Sequence, residues 1–310
     1  MTGALEVGAK FAGHGIKSAV TTTSSNADAT VVVIDTETRH LTESGAAEVI
    51  DRLTGSSPRL ILKKTDSTLR GNIGAELRAL ARAYPEWRIA FVPAYPALGR
   101  TVRDGRVYVD GVPVHLTSFA RDALNPVTDS LVSHVLGSGL DCDVFDAETD
   151  SDIERAVDRI LSDTRYRIVA GTAAIADALA ARMDLEREPP ADFPKVHRCL
   201  IVNGSLHEAS ARQVEFAQAH GCASTAEEAR WRILEGGELR GGEYQVILVF
   251  GGDTAFSIVK QFGSPVLWPI GEILTGVPVS KMSGSNLHLI TKAGGFGEAD
   301  VICRIKGALE

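Results

Sequence analysis

Short runs of β-branched residues alternate with amphipathic segments along almost the whole chain, and this alternation restricts the fold more than any other feature. Several runs are continuously apolar, which is typical of strands covered on both faces of a sheet. The predicted strands are Thr30–Asp35, Leu60–Lys63, Ile89–Val92, Asp143–Phe145, Tyr166–Ala170, Cys199–Val202, Gln245–Phe250, Val266–Trp268 and Leu287–Thr291. Helical spacing between them is clearest where Ile73, Leu77 and Leu80 share one face. Strand, helix and strand in repetition predict an α/β fold with parallel sheets and right-handed crossovers.

Two segments interrupt the alternation. Arg103–Val114 contains Asp-Gly twice, on either side of a short alternating run, and this pattern predicts a hairpin that leaves the α/β core. Leu185–Pro194 contains three prolines and several charges, so we interpret it as a domain linker. A chain of 310 residues is long enough for two domains. We therefore predict domains at 1–190 and 191–310, each a mainly parallel sheet flanked by helices, with the hairpin in the first.

The net charge argues against one class of partners. It is −8, with 40 acidic and 32 basic residues, so we expect no extended basic surface for nucleic acid or an anionic membrane. No apolar run is as long as a membrane span, and the N-terminus lacks a signal-peptide pattern, so we expect a cytoplasmic protein. Cys142, Cys199, Cys222 and Cys303 form no C-x-x-C pair and are predicted to be reduced and buried.

The densest polar segment is Lys63–Asn72, between a predicted strand and a predicted helix. Ligands of open α/β sheets bind at the carboxyl ends of parallel strands, and a helix start adds free N–H groups. The segment suits a small polyhydroxy acid, with Arg70 or Lys64 on the carboxylate and polar side chains on the hydroxyls. The predicted contacts of the acid here are Lys64, Thr65, Asp66, Ser67, Arg70 and Asn72. The alternative is a helix cap with solvated charges, although a cap needs only one such residue.

Two further polar clusters follow predicted strands. Asp35 and Arg39 come directly after one strand, and Arg100 ends the segment Pro93–Arg100 after another. The spacing leaves two interpretations open for each cluster. Asp35 and Arg39 either contact the acid or form a strand-end turn, and Arg100 is either an anion ligand or an ordinary surface charge.

Three segments containing glycine follow strands in the C-terminal part: Asn203–Ser205, Gly251–Thr254 and Lys292–Gly297. Glycine lets the backbone approach phosphate closely, and N–H groups at a following helix start attract it. One such segment alone indicates a tight turn, but three in one domain predict a site for nucleotide phosphates. The sequence contains neither a P-loop nor a well-placed G-x-G-x-x-G. Because the histidines lack ligand spacing and no G-x-S-x-G occurs, neither a transition-metal site nor a serine hydrolase is predicted.

At these residues the chain resembles the four-carbon acid sugar kinase family, whose members phosphorylate acids such as erythronate, threonate and 3-oxotetronate with ATP. The most specific parts of the resemblance are Lys63–Asn72 and the pair GGDTA and KAGGFG. The matching segments, in family order, are Thr2–Ala4, Asp35–Arg39, Lys63–Asn72, Pro93–Arg100, Asn203–Ser205, Gly251–Ala255, Gly271–Pro278 and Lys292–Gly297. The resemblance implies that the N-terminal domain binds the sugar acid and the C-terminal domain binds ATP. The implied nucleotide contacts are Ser205, Gly251, Gly252, Asp253, Thr254, Gly294 and Gly295.

The chain differs from the family pattern in two places. In the family, a strand and an Asp-Asp pair precede Thr-Gly-Ala, where this chain has Met1. The stretch between Ser205 and Gly251 is shorter than in typical relatives, so we expect the C-terminal domain to lack at least one structural unit. These differences motivate an alternative function, a protein that binds nucleotide or sugar acid without transferring phosphate.

The sequence and the resemblance together predict an ATP- and Mg²⁺-dependent kinase acting on a hydroxyl of a small sugar acid. Phosphoryl transfer requires mainly positioning and charge neutralisation. Arg70, Lys64 and Arg100 are predicted to hold the acid, and Asp66 to orient or deprotonate the attacking hydroxyl. The expected partners are the sugar acid and ATP, with neither nucleic acid nor membrane, and a homodimer is left open. A dinucleotide-dependent oxidoreductase is a further alternative, against which the missing glycine fingerprint argues.

Overall fold

The computed structural model describes residues 1–23, 27–122, 124–234 and 244–310. It divides into two compact units: unit 1 comprises Met1–Asp35 and Leu185–Glu310, and unit 2 comprises Thr36–Asp184. The boundary after Asp184 coincides with the start of the predicted linker. The predicted division at residue 190 differs from these units in the first 35 residues. They pack with the C-terminal part because their helix and strands complete its core and sheet.

Both units are built from alternating strands and helices, numbered along the chain. The described strands are β1 (Ser18–Thr21), β2 (Val31–Ile34), β3 (Ile61–Lys64), β4 (Arg88–Val92), β5 (Arg100–Arg103), β6 (Arg106–Val109), β7 (Val112–Pro113), β8 (Cys142–Val144), β9 (Tyr166–Gly171), β10 (Cys199–Asn203), β11 (Trp231–Ile233), β12 (Val246–Phe250), β13 (Leu267–Leu274), β14 (Val277–Met282) and β15 (His288–Lys292). The helices are α1 (Thr2–Gly13), α2 (Glu43–Leu53), α3 (Ile73–Ala83), α4 (Val132–Leu136), α5 (Asp150–Ser162), α6 (Ala173–Arg182), α7 (Glu208–Ala219), α8 (Gly252–Gln261) and α9 (Val301–Leu309).

Unit 1 contains an eight-stranded sheet in the order β11-β10-β12-β15-β14-β13-β1-β2. Strands β11, β10, β12 and β15 are parallel, as are β1 and β2, and antiparallel β13 and β14 join these two groups. Alternate residues of β12 lie on opposite faces of the sheet and belong to different hydrophobic cores. Val246, Leu248 and Phe250 pack with α9, whereas Ile247 and Val249 pack with α1 and α8. The strand is buried on both faces, which explains its continuously apolar sequence.

Helix α1 belongs to unit 1 because its apolar side packs against β13 and β14. Leu5 is buried in this core. The contact requires a small residue, since a Cβ atom on Gly8 would lie 2.6 Å from Pro269. An ion pair adds to it, with Lys10 Nζ 2.8 Å from a carboxylate oxygen of Glu272. Burial raises the pKa of Glu272 to about 7, although Lys10 acts in the opposite direction.

Unit 2 contains a four-stranded sheet, β3-β9-β4-β8, in which every pair is parallel. Helix α3 buries Ile73, Leu77 and Leu80, the face that the sequence predicts. The two sheets confirm the predicted fold class, mainly parallel sheets flanked by helices.

The predicted hairpin is confirmed as a separate three-stranded antiparallel sheet, β5-β6-β7. Both of its Asp-Gly turns have left-handed backbone angles, with φ of 52° and 66° at Asp104 and Gly105 and of 49° and 79° at Asp110 and Gly111. Such turns match the twist of the flanking strands, and Asp and Gly tolerate these angles best.

Each predicted strand overlaps an observed one, and the sequence missed β1, β11 and β14. Polar residues or a proline interrupt all three, as Ser18 and Thr21 in β1, Arg232 in β11 and Pro278 in β14, so none is a continuous apolar run. Within the described ranges, no helix is long and apolar enough to cross a membrane.

Two of the four cysteines are paired. Cys222 and Cys303 form a disulfide with their Cα atoms 5.3 Å apart, so the prediction of four reduced cysteines is wrong for this pair. They are separated by 81 residues, and no short spacing motif indicates such a pairing. Cys199 is buried and Cys142 partly buried, both as free thiols.

Candidate functional site

The three glycine loops begin side by side at one edge of the unit 1 sheet. The parallel strands β10, β12 and β15 end at Asn203, Phe250 and Lys292, which are in register across the sheet. Backbone hydrogen bonds continue beyond the strand ends. The Gly204 N–H donates to the Phe250 carbonyl at 3.2 Å, and the Gly251 N–H donates to the Lys292 carbonyl at 3.0 Å.

The loops are in direct contact at positions where only glycine fits. A Cβ atom on Gly204 would overlap the Thr254 hydroxyl, and one on Gly294 would overlap the Ser205 hydroxyl. These glycines therefore allow the three backbones to approach more closely than side chains would permit.

Helix α8 begins inside this cluster of loops. Its N-cap is Gly251, with φ of 103°, and no side chain among the described residues caps the helix start. First-turn N–H groups of a helix lack intrahelical partners and attract anions. The N-terminus of α1 is close by, since the Thr2 hydroxyl lies 3.3 Å from the position of a Cβ atom on Gly252.

The structure thus brings most of the predicted nucleotide contacts together at one sheet edge. The predicted residues that lie in the contacting loops and at the start of α8 are Ser205, Gly251, Gly252, Thr254 and Gly294. Asp253 is exposed in the first turn of α8, and Gly295 lies beside the ring of His207. Nucleotide binding by all seven residues stays a prediction.

In unit 2, positively charged side chains surround Asp66 beyond the carboxyl end of β3. Arg70 Nε and Nη2 donate to its two carboxylate oxygens at 3.2 and 2.9 Å, and Arg39 Nη2 donates to it at 3.1 Å. The Thr68 N–H and hydroxyl also donate to the same carboxylate. Burial raises the pKa of Asp66, but the two guanidinium groups and these hydrogen bonds outweigh it and hold the pKa well below its usual range.

The cluster extends to residues near the hairpin. Arg70 Nη1 donates to Asp122 at 3.0 Å, and its guanidinium carbon lies 5.1 Å from the centre of the Phe119 ring. The guanidinium of Arg100 lies 6.0 Å from the same ring. Arg100 is only 8% exposed, which excludes the surface-charge interpretation, and burial lowers its pKa. Its role as an anion ligand stays a prediction.

Asn72 organises the loop that carries Arg39. Its side-chain amide donates to the carbonyls of Thr38 and Leu41, at 2.9 Å each. The NH2 group of Asn72 therefore faces backbone carbonyls, and its predicted contact with the acid stays a prediction.

The other predicted acid contacts have varied surroundings. Lys64 Nζ donates to the Thr65 carbonyl at 2.8 Å. The Thr65 hydroxyl is buried and has no hydrogen-bond partner in the part of the chain that the structure describes. Ser67 is half-buried in the same loop. Asp35 lies in unit 1, 3.1 Å from the amino group of Met1, rather than in the unit that holds Asp66.

Three residues beside the predicted contacts were not predicted from the sequence. Phe119 and Asp122 come from a short 3₁₀ turn and the residue after it, where no periodicity or motif marks them. Lys292 was quoted within KAGGFG but given no role. Its position at the end of a predicted strand and directly before a glycine loop is the signal that the sequence offers for a role in that loop.

Comparison with known proteins identifies the family. Residues 1–141 match the family described as a sugar-binding N-terminal domain, and residues 236–302 match the one described as a nucleotide-binding C-terminal domain. A D-threonate kinase from Bordetella bronchiseptica is 28% identical, covering 91% of this chain and 86% of its own length. A D-erythronate kinase from Heliobacterium modesticaldum is 34% identical over 35% of this chain and 26% of its own length. A 3-oxo-tetronate kinase from Brucella melitensis is 24% identical, covering 75% and 73%.

Solved structures show the same fold. A Haemophilus influenzae protein superposes with a TM-score of 0.73 at 18% identity, covering 100% of this chain and 98% of its own. A Bordetella bronchiseptica domain of unknown function, crystallised with bound citrate as a domain-swapped dimer, has a TM-score of 0.53 at 27% identity, covering 100% and 96%. Both domain families, the named relatives and the fold agree with the motifs, and the chain belongs to the four-carbon acid sugar kinase family.

Proposed function

We propose that this protein is an ATP-dependent kinase that phosphorylates a hydroxyl of a four-carbon sugar acid, namely threonate, erythronate or 3-oxotetronate. The observation that carries the proposal is the convergence of three glycine loops and the uncapped start of α8 at one sheet edge. Such a set of backbone N–H groups suits nucleotide phosphates. The names of the related kinases support the same reaction.

The arginine cluster of unit 2 is the proposed site for the acid. A guanidinium matches a planar carboxylate with two parallel N–H bonds. Three of the Arg70 nitrogens already donate to Asp66 and Asp122, so we expect the half-exposed Arg39 to make the more direct contact. The unpaired hydroxyl of Thr65 gains a partner if a substrate oxygen binds beside it. The Bordetella structure was crystallised with bound citrate, which is itself a hydroxy acid, and this agrees with the proposed substrate class.

Asp66 fits a role in orienting the two arginines better than the predicted role of orienting or deprotonating the attacking hydroxyl. A base must have a free oxygen and a pKa near the working pH. Both oxygens of Asp66 accept charge-assisted hydrogen bonds, and its pKa is held low. We therefore propose that it fixes Arg39 and Arg70 in place for the acid.

Magnesium fits the nucleotide site as a partner of the phosphates. Mg²⁺ in kinases is usually bound by one or two carboxylates together with substrate phosphates and water. Asp253, in the first turn of α8, is the carboxylate that would hold it. Within the described ranges no three His, Cys, Asp or Glu side chains form a metal cage, so we do not propose a site independent of nucleotide. When bound, the ion would neutralise charge on the phosphates.

A coupled assay for ADP release with D-threonate, D-erythronate and 3-oxotetronate tests this function. We expect turnover with at least one acid and thermal stabilisation by Mg-nucleotide, because a ligand of the native state at 100 times its Kd adds about 2.7 kcal/mol. Stabilisation without turnover of any acid would favour the binding-protein alternative. The absence of both stabilisation and turnover at millimolar nucleotide would refute a nucleotide-dependent function.

We also propose that the protein forms a homodimer. The domain-swapped dimer of the Bordetella structure motivates the oligomeric state. Light scattering of the purified chain checks it, and a monomer at micromolar concentration would contradict it.

A further inference from the structure

Lys292 ties down the glycine loop that follows it. Its side chain is 2% exposed at the end of β15. Its Nζ donates to the carbonyls of Ala293 at 2.8 Å and Phe296 at 2.5 Å, and it lies 4.9 Å from the centre of the Phe250 ring. The ammonium is thus held beneath the loop, at its two ends.

Helix α7 supplies further donors to the same loop. Ser210 Oγ donates to the Gly294 carbonyl at 2.7 Å. Gln213 Nε2 donates to the carbonyls of Phe296 and Gly297, at 2.9 and 2.7 Å. Ser210 and Gln213 are 0% and 1% exposed. Every one of these carbonyl groups therefore faces a buried side-chain donor.

Holding the carbonyls inward turns the neighbouring N–H groups outward. In a trans peptide the C=O and the N–H of the next residue point in opposite directions. The N–H groups of Gly294, Gly295 and Gly297 have no acceptor within the described ranges. Successive free N–H groups form a concave site that binds anions. The buried side chains thus fix the shape that the predicted phosphate contacts require.

The positive charge of Lys292 also favours an anion above the loop. Its hydrogen bonds go to carbonyl groups, and no carboxylate pairs with it in the described part of the chain. Burying a cation without a counter-ion is unfavourable, and burial lowers the pKa of Lys292 to about 8. An anion bound above the loop supplies the missing negative charge.

We propose that Lys292, supported by Ser210 and Gln213, is the positioning residue of the phosphate loop, and that its ammonium contributes the positive charge beneath the nucleotide phosphates. This inference rests on the proposed nucleotide site. It concerns residues that the sequence and the family resemblance leave without a role.

The inference predicts a specific pH dependence. Bound phosphate favours the protonated ammonium, so nucleotide affinity should fall as the free protein loses this proton, by about tenfold between pH 7 and pH 9. Other titratable groups on the neighbouring elements are the side chains of His207, Glu208 and Asp253 and the amino group of Met1. They are common to every variant, so comparison with Lys292→Arg at each pH removes their contribution.

Calorimetric titration with Mg-ADP at pH 7, 8 and 9 tests the inference. We expect the tenfold fall in wild type and constant affinity in Lys292→Arg, whose guanidinium stays charged throughout. Lys292→Met should bind Mg-ADP at least tenfold more weakly than wild type at pH 7, again without pH dependence. If the arginine side chain is too large for the site and Lys292→Arg does not fold, Lys292→Met serves as the test variant. The matched control Lys281→Met, at an exposed lysine of β14, should behave as wild type.

Two outcomes would overturn different conclusions. If wild type binds Mg-ADP and a folded Lys292 variant keeps both its affinity and its pH profile, Lys292 does not position the loop. If wild type gives no binding heat at any pH, the proposed nucleotide site itself is wrong. Circular dichroism of each variant shows whether it is folded.

Discussion

Replacing Asp66 with Asn tests whether this carboxylate organises the acid site or acts as a base. The substitution keeps the size of the side chain but removes its charge. The Asp66 side chain is 9% exposed and that of Arg70 18%, so water screens this contact only weakly, whereas the contact with the 47% exposed Arg39 is screened and adds little. Removing one partner of a buried ion pair costs about 3–5 kcal/mol. We expect the free energy of unfolding of unit 2 to fall by about this amount at pH 7.

Hydrogen exchange in increasing urea measures this loss for peptides of Thr36–Asp184 separately from the rest of the chain. Its pH dependence follows from the lowered pKa of Asp66. An aspartate whose folded pKa lies below its unfolded value of about 3.9 stabilises the protein above that value and loses the effect at lower pH. The difference between wild type and Asp66→Asn should therefore be constant from pH 6 to 8 and decrease below about pH 4.

Steady-state kinetics with the preferred sugar acid distinguish the two roles. An organising carboxylate predicts a higher KM for the acid together with the loss of stability, because the guanidinium groups are no longer fixed. A general base predicts that kcat falls by roughly 10²- to 10⁴-fold. A variant of unchanged stability and KM, with only kcat reduced, would refute the organising role.

Three further predictions concern other parts of the molecule. Arg70→Lys should weaken acid binding by roughly ten- to a hundredfold in calorimetry, because an ammonium cannot keep both the paired N–H bonds to Asp66 and the bond to Asp122 that hold the arginine cluster together, and unchanged affinity would remove Arg70 from the site. Gly204→Ala should abolish nucleotide-induced thermal stabilisation by forcing two glycine loops apart, whereas Gly307→Ala, where a Cβ atom meets nothing within 4 Å, should leave it intact. Burial raises the pKa of Glu272 to about 7, so the stability of unit 1 should fall as pH rises from 4.5 to 7 and be less pH-dependent in Glu272→Gln; equal slopes in thermal denaturation would contradict this.

The fold class follows from the sequence because the apolar pattern of a strand depends on its own residues. Buried parallel strands such as Val246–Phe250 show themselves as unbroken apolar runs, and the Asp-Gly turns of the hairpin need no distant partner. The order of strands in a sheet, by contrast, depends on pairing between distant segments. Residues 1–35 join unit 1 through pairing of β1 with β13, about 250 residues later, and no pattern within either strand indicates it.

The candidate sites divide in the same way. The sequence predicts the three glycine loops together because parallel strands end at a common edge, and Asp66 and Arg70 lie four residues apart in one loop. The sequence did not predict that Asp122 shares Arg70, since the two are 52 residues apart and Asp122 follows an irregular turn. It also did not indicate that Asn72 would face backbone carbonyls instead of solvent.

Each candidate site contains a buried cation. Lys292 in unit 1 and Arg100 in unit 2 are 2% and 8% exposed, and burial lowers the pKa of each. Protein folding gains little from burying a cation, because desolvation opposes it. The gain comes when an anion binds, since the same low-dielectric surroundings then strengthen the attraction. If the proposed sites hold a phosphate group and a carboxylate, buried cations of this kind supply local positive charge in a protein whose net charge is −8.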